Sequence, residues 1–129
     1  MIQKFIERFT ENKVVIHDWF TKYHPEDYKQ IVQKVVEIIS DEDGYYEEPD
    51  PSRIHEINDG DYQGTLVYII PERGYQPGCY WAVKVNYGSC SVCDTLEGIR
   101  NYSDEPPSEQ QVKDYMMLSL HVVQGIKEI

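Results

Sequence analysis

Two cysteines stand three apart in the run Tyr87-Gly88-Ser89-Cys90-Ser91-Val92-Cys93-Asp94-Thr95-Leu96, where a strand-like pattern gives way to a helical one. A Cys-x-x-Cys pair at the start of a helix suits dithiol redox chemistry, because helix-terminal amides lower a thiol pKa and supply the thiolate. The remainder of a thioredoxin-like pattern is missing: no βαβ unit precedes the pair, no aromatic residue flanks Cys90, and no later cis-proline segment is recognisable. The same spacing is half of a zinc site, with Cys79 and either His55 or His121 as the remaining candidate ligands. Structural zinc usually draws on two such knuckles, and this chain has one. The third reading is architectural. Gly88, Ser89, Cys90 and Ser91 are small residues for a crowded corner, and a buried free cysteine behaves as a small hydrophobe. This reading is favoured here, with a zinc or dithiol site at Cys90, Cys93 and Cys79 as the alternative.

The second concentration of chemistry is acidic. Residues 41–61 hold nine acids against Arg53, which supplies −8 of the chain's net −11. Asp41, Asp43 and Gly44 match three positions of an EF-hand loop. In that register Ile39 falls on the first ligand position and Asp50 on the bidentate glutamate, so the match fails at both ends. A solvated charged loop is the ordinary reading of such a run. The functional reading is a recognition surface made of Asp41, Glu42, Asp43, Tyr45, Tyr46, Glu47, Glu48, Asp50, Asp59 and Asp61, in which tyrosines among carboxylates supply contact area. Such a field attracts basic proteins and repels phosphate backbones, so direct nucleic-acid binding is not expected.

Other residue types give no reaction. His17, His24, His55 and His121 are scattered, with His24 a candidate helix cap. No Ser-His-Asp order, phosphate-binding glycine loop or metalloprotease motif is present. Five of the 11 tyrosines (Tyr62, Tyr68, Tyr75, Tyr80 and Tyr87) fall in the strand-rich region, as strand propensity alone would allow. A sheet face lined by phenols that meets a ligand is the sharper alternative.

The elements that must position these groups are readable from periodicity. Ile2, Phe5, Ile6 and Phe9, then Ile16, Trp19, Phe20 and Tyr23, predict either one kinked helix or two short ones, with Thr10 as a possible new cap. Pro25 suits the first turn of a second helix, whose stripe Tyr28, Ile31, Val32, Val35, Val36 and Ile39 ends near Ser40. Residues 40–52 read as an exposed loop. Strands are expected near 53–57, 65–70 and 80–87, the last with Trp81, Val83, Val85 and Tyr87 on one face. A short helix follows the cysteines, and Ser108 with Gln111 opens a long final helix. That helix is apolar over enough of its girth to be buried or to meet a second copy of the chain.

This order predicts a single α+β domain over residues 1–129: N-terminal helices, a small antiparallel β-meander of about three strands, and C-terminal helices packed on the sheet. At 129 residues the chain can bury a core without staples. No apolar run approaches membrane-spanning length, no signal-peptide h-region is evident, and three cysteines fit reduced thiols. A cytosolic setting without membrane contact is therefore expected.

Asp61-Tyr62-Gln63-Gly64-Thr65-Leu66-Val67-Tyr68-Ile69-Ile70-Pro71, together with the cysteine-bearing run, resembles a small uncharacterised family of bacteriophages and bacterial mobile elements. The resemblance covers the middle third of the chain and implies no catalytic residue. It implies a setting, a bacterial host cytoplasm, in which small acidic phage proteins bind and inhibit host proteins, some by presenting carboxylates in place of nucleic-acid phosphate. The expected function is an interaction protein for a basic host factor, such as a nucleic-acid-processing or defence protein.

Overall fold

The computed structural model describes residues 2–41, 43–44, 47–60, 64–74, 77–87, 95–100 and 105–129. The element order is α1 (Ile2–Lys22), α2 (Tyr28–Ile39), β1 (His55–Gly60), β2 (Gly64–Pro71), β3 (Tyr80–Tyr87), α3 (Thr95–Arg100), α4 (Glu109–Gly125) and β4 (Lys127–Glu128). The fold is α+β, with helices packed on one face of an antiparallel sheet of strand order β1-β2-β3-β4.

The first helix runs unbroken through Lys13. Thr10 does not start a new helix, because its hydroxyl donates to the Ile6 carbonyl within the same one. Phe5, Phe9, Ile16 and Phe20 are its buried stripe. In α2 every residue of the expected stripe is buried. Its cap is Asp27, so Pro25 does not enter the first turn as expected: the Asp27 carboxylate accepts from the Gln30 N–H, satisfying an amide that has no partner inside the helix. Pro25 lies outside the helix, where its ring holds His24 out of helical backbone.

The sheet alternates cleanly. Leu66, Tyr68, Ile70, Trp81, Val83 and Val85 face the helices, while exposed Lys84 lies on the opposite face across from Val67. The edge strand β1 is exposed on both faces from His55 to Asn58, and Glu56 sits on the core side opposite Tyr68. An inward-pointing carboxylate on an edge strand discourages pairing with another chain. Trp81 is buried edge-on against Phe5 with ring centroids 5.6 Å apart. The two residues β4 adds opposite Trp81 and Ala82 were not anticipated; a strand this short has no periodicity to read.

Ser108 and Gln111 form the reciprocal capping box of α4. Val112, Tyr115, Ser119, Val122 and Val123 are buried along that helix, whereas Ile129 is exposed. Two hydrogen bonds fix α3: Leu96 N–H donates to the Tyr28 phenol oxygen, and Gln111 Nε2 donates to the Ile99 carbonyl. Among the described residues no helix is long and apolar enough to cross a membrane.

Candidate functional site

Cys90 and Cys93 lie outside the described residues, together with the rest of their turn. Cys79, the third candidate ligand, is described and half-buried. Its Sγ is 3.2 Å from Glu72 Oε2, to which the thiol donates. Burial pushes the Cys79 thiol up to about 12, aided by the Glu72 carboxylate. A thiol so disfavoured as thiolate is a poor ligand and a poor nucleophile. The contact with Glu72 uses it as a hydrogen-bond donor. His55 and His121 are both exposed, and among the described residues no three His, Cys, Asp or Glu side chains are grouped to hold a metal ion.

The acidic segment separates into an inner and an outer set. Glu48 is 4% exposed and sits beneath α1. Arg8 Nη1 donates to Oε1, Lys4 Nζ lies 2.8 Å from Oε2, and the Asp41 N–H donates to Oε1 at 2.7 Å. Burial alone would raise this carboxyl; the bonds from Arg8, Lys4 and the Asp41 amide outweigh it and hold the group below the usual glutamate range. Glu72, buried at the end of β2, works the same way. It accepts from the Glu47 N–H at 2.7 Å and the Gly78 N–H at 2.9 Å, and these amides hold its carboxyl low.

The backbone closes this knot. Arg73 N–H donates to the Glu48 carbonyl, Asp50 N–H to the Pro71 carbonyl, and Pro49 pairs with Glu72 as an isolated bridge. Glu47 sits between the two buried carboxylates with φ +58°, a left-handed backbone that non-glycine residues rarely adopt. Its amide and carbonyl are held by Glu72 and Lys4. Asp50 turns inward as well: burial would raise its carboxyl, but Ser52 and Arg53 lower it, with Arg53 Nε 2.7 Å away.

Two of the ten candidate partner-binding residues, Glu48 and Asp50, are therefore committed to the fold. Asp41, Asp43 and Glu47 are exposed, and none has a cation within 4.0 Å among the described residues. Lys4, Arg8, Arg53 and Arg73 lie nearby, but each turns to an inner acceptor, Arg73 Nε to Ser40 Oγ at 2.7 Å. Glu42, Tyr45, Tyr46 and Asp61 lie outside the described residues, as does the side chain of Asp59.

Of the five tyrosines of the strand-rich region, Tyr62, Tyr75 and the side chain of Tyr87 lie outside the described residues, and the two described side chains, Tyr68 and Tyr80, are on opposite faces. Tyr68 is fully buried on the core face and donates to Glu56 Oε1 at 2.9 Å; burial first, then that bond, raises its phenol far above the ordinary value. Tyr80, 41% exposed, is of the opposite strand parity. His24 is not a helix cap but a bridge. Nε2 is 2.7 Å from the Glu105 carbonyl, which only accepts, and Nδ1 is 2.6 Å from the Tyr115 hydroxyl. In the neutral ring the proton is thus on Nε2.

One surface escaped the sequence reading. A groove of about 690 Å³ runs between α1 and α4, floored by Phe9, Val14, Met116, Met117 and Leu120, with Lys13, His17 and Lys113 along it. Exposed Val14 and the adjacent Met116-Met117 pair were the available signals. No family model, curated protein or solved structure matches the chain.

Proposed function

We propose that this protein acts by binding, presenting Asp41, Asp43 and Glu47 as a fixed acidic edge to a basic protein surface. The observation that carries this reading is the division of the acidic segment. Glu48 is consumed inside by Lys4 and Arg8 and Glu72 by backbone amides, while Asp41, Asp43 and Glu47 stay exposed, with no ion-pair partner among the described residues, on a backbone sewn to the end of β2. A rigid arrangement loses little freedom on docking, and unpaired carboxylates steer a cationic partner over distances of about 10 Å at 0.1 M salt. A phage-encoded antagonist of a nucleic-acid-processing or defence protein is the setting we propose, on the resemblance of residues 61–71 and 87–96 and on the net charge of −11.

The test uses the full chain and its D41N/D43N/E47Q variant as baits in bacterial lysate, at low and high ionic strength. A basic protein captured by the wild type, released by salt and missed by the variant is the expected result. Equal capture by the variant, or retention indifferent to salt, would refute the reading. Metal analysis of the reduced protein decides the alternative: one zinc per chain, lost on Cys93→Ser, would move the function to the cysteine turn.

A further inference from the structure

We infer that the groove between α1 and α4 is a docking site for an acidic amphipathic helix of another protein, distinct from the acidic edge and independent of it. The floor is apolar, and two of its residues, Val14 and Met117, are 64% and 55% exposed, far more open than the buried residues of the α1 and α4 stripes. Two methionines at its centre suit an adaptable contact, since an unbranched thioether repacks around different side chains. A second cavity of about 510 Å³, lined by Thr21, Pro107 and Val112, shares His17 and Lys113 with the first. Together they follow α1 from Phe9 to Thr21, about 18 Å at 1.5 Å per residue, which is the length of three turns of a docked helix.

Charge selects the occupant. The chain carries −11, yet the described lining residues include Lys13, His17 and Lys113, with Glu109 as their acid at one end. Asp18 lies 4.0 Å from His17, which leaves Lys13 and Lys113 as the cations of the groove; neither has an ion-pair partner among the described residues. Two unpaired lysines beside an apolar floor complement a helix that carries carboxylates beside its apolar stripe. A second copy of this chain fits poorly. A two-fold contact must be self-complementary, and here it would set lysine-flanked grooves against each other between two strongly acidic chains. A single fatty acid would meet the lysines but leave its tail wet in so open a trough.

The probe is a displayed library of random peptides of about 16 residues, long enough to span the groove at helical rise. It is selected on the full chain and counter-selected on the V14E/M117E variant, whose changes are at exposed positions. Winners should carry apolar residues at i, i+3 or i+4, and i+7 with net negative charge. The best winner, labelled and titrated by fluorescence anisotropy, should bind K13E/K113E about tenfold or more weakly, in keeping with a charge-steered contact. It should bind the D41N/D43N/E47Q variant as it binds the wild type, which separates this site from the acidic edge. Unchanged thermal melts of the groove variants confirm that they fold. Neutral or basic winners, winners indifferent to K13E/K113E, or no winners would overturn the proposal. So would sedimentation showing a wild-type dimer dissolved by V14E/M117E, or native mass spectrometry showing a fatty acid that displaces the peptide.

Discussion

Glu48→Gln is the most informative single change, because it removes one charge and little volume from the centre of the acidic knot. Glu48 accepts from the Asp41 amide and Arg8 on one oxygen and from Lys4 on the other. Glutamine has one acceptor oxygen, so its NH₂ must face either Arg8 or Lys4, donor against donor. Each charge-assisted bond contributes about 1.5–3 kcal/mol, and breaking a fully buried pair costs about 3–5 kcal/mol. The Lys4 and Arg8 side chains are 33% and 27% exposed and can recover water once freed, which places the loss near the lower bound. About 2–3 kcal/mol is expected at neutral pH, or on the order of 10 °C in Tm for a domain of this size. Urea unfolding of wild type and variant in parallel measures it.

The pH dependence of that difference is the sharper check. The folded carboxyl of Glu48 lies below its ordinary value of 4.5, so its contribution is present above that value and fades as pH falls through the folded pKa. The gap between wild type and Glu48→Gln should therefore close in acid. Asp50 and Glu72 are depressed too, so wild-type stability itself should fall steeply below about pH 4. A loss under about 0.5 kcal/mol at neutral pH, the range of ordinary surface changes, would refute the reasoning. So would a loss that persists unchanged in acid.

Gly44→Ala should destabilise by about 1–3 kcal/mol, as overpacking does, because a Cβ there would lie 2.6 Å from Glu48 Cγ, which its ion pairs hold in place; a wild-type urea midpoint would contradict this. With Cys90 and Cys93 replaced by serine, Cys79 should alkylate roughly a hundredfold more slowly in the folded protein than in urea at mildly alkaline pH, given its thiol near 12. Glu72→Gln should speed that reaction, and equal folded and unfolded rates would sink the assignment. Ser108→Ala should cost about 1 kcal/mol through loss of the α4 cap, measured by denaturant midpoint, with no change expected at the acidic edge.

What the sequence disclosed is what neighbouring residues determine among themselves. The stripe of α2, the Ser108–Gln111 box and the alternation of β3 are local patterns, and all three stand in the fold. Choices settled by distant residues were not legible. Glu48 has the same chemistry as Glu47, yet one is buried and the other exposed, because Lys4 and Arg8, more than 39 positions earlier, meet the carboxylate of the first, whereas Lys4 meets the second only at its backbone carbonyl. The inward turn of Glu72 likewise depends on amides at Glu47 and Gly78, which no periodicity announces. Pro25 and Asp27 show a smaller version: both are plausible helix starts, and the side-chain acceptor prevails where a first-turn amide needs one.

The cations of α1 explain why one helix can serve both an inner knot and an outer groove. At about 100° per residue, Lys4 and Arg8 are about 40° apart around the helix, whereas Lys13 is about 180° from Lys4. The first two therefore share a side and meet Glu48 together, while Lys13 stands on the other side of the helix at the groove with α4. Between those sides runs the buried stripe Phe5, Phe9, Ile16 and Phe20. Residues 1–40 balance six acids with six bases, and that neutrality conceals the separation. Lys4 joins Arg8 in neutralising a buried carboxylate on one side, while Lys13, on the other, has no ion-pair partner among the described residues. Angular position on the helix, more than charge count, decides which lysine stabilises the fold and which remains available to a partner.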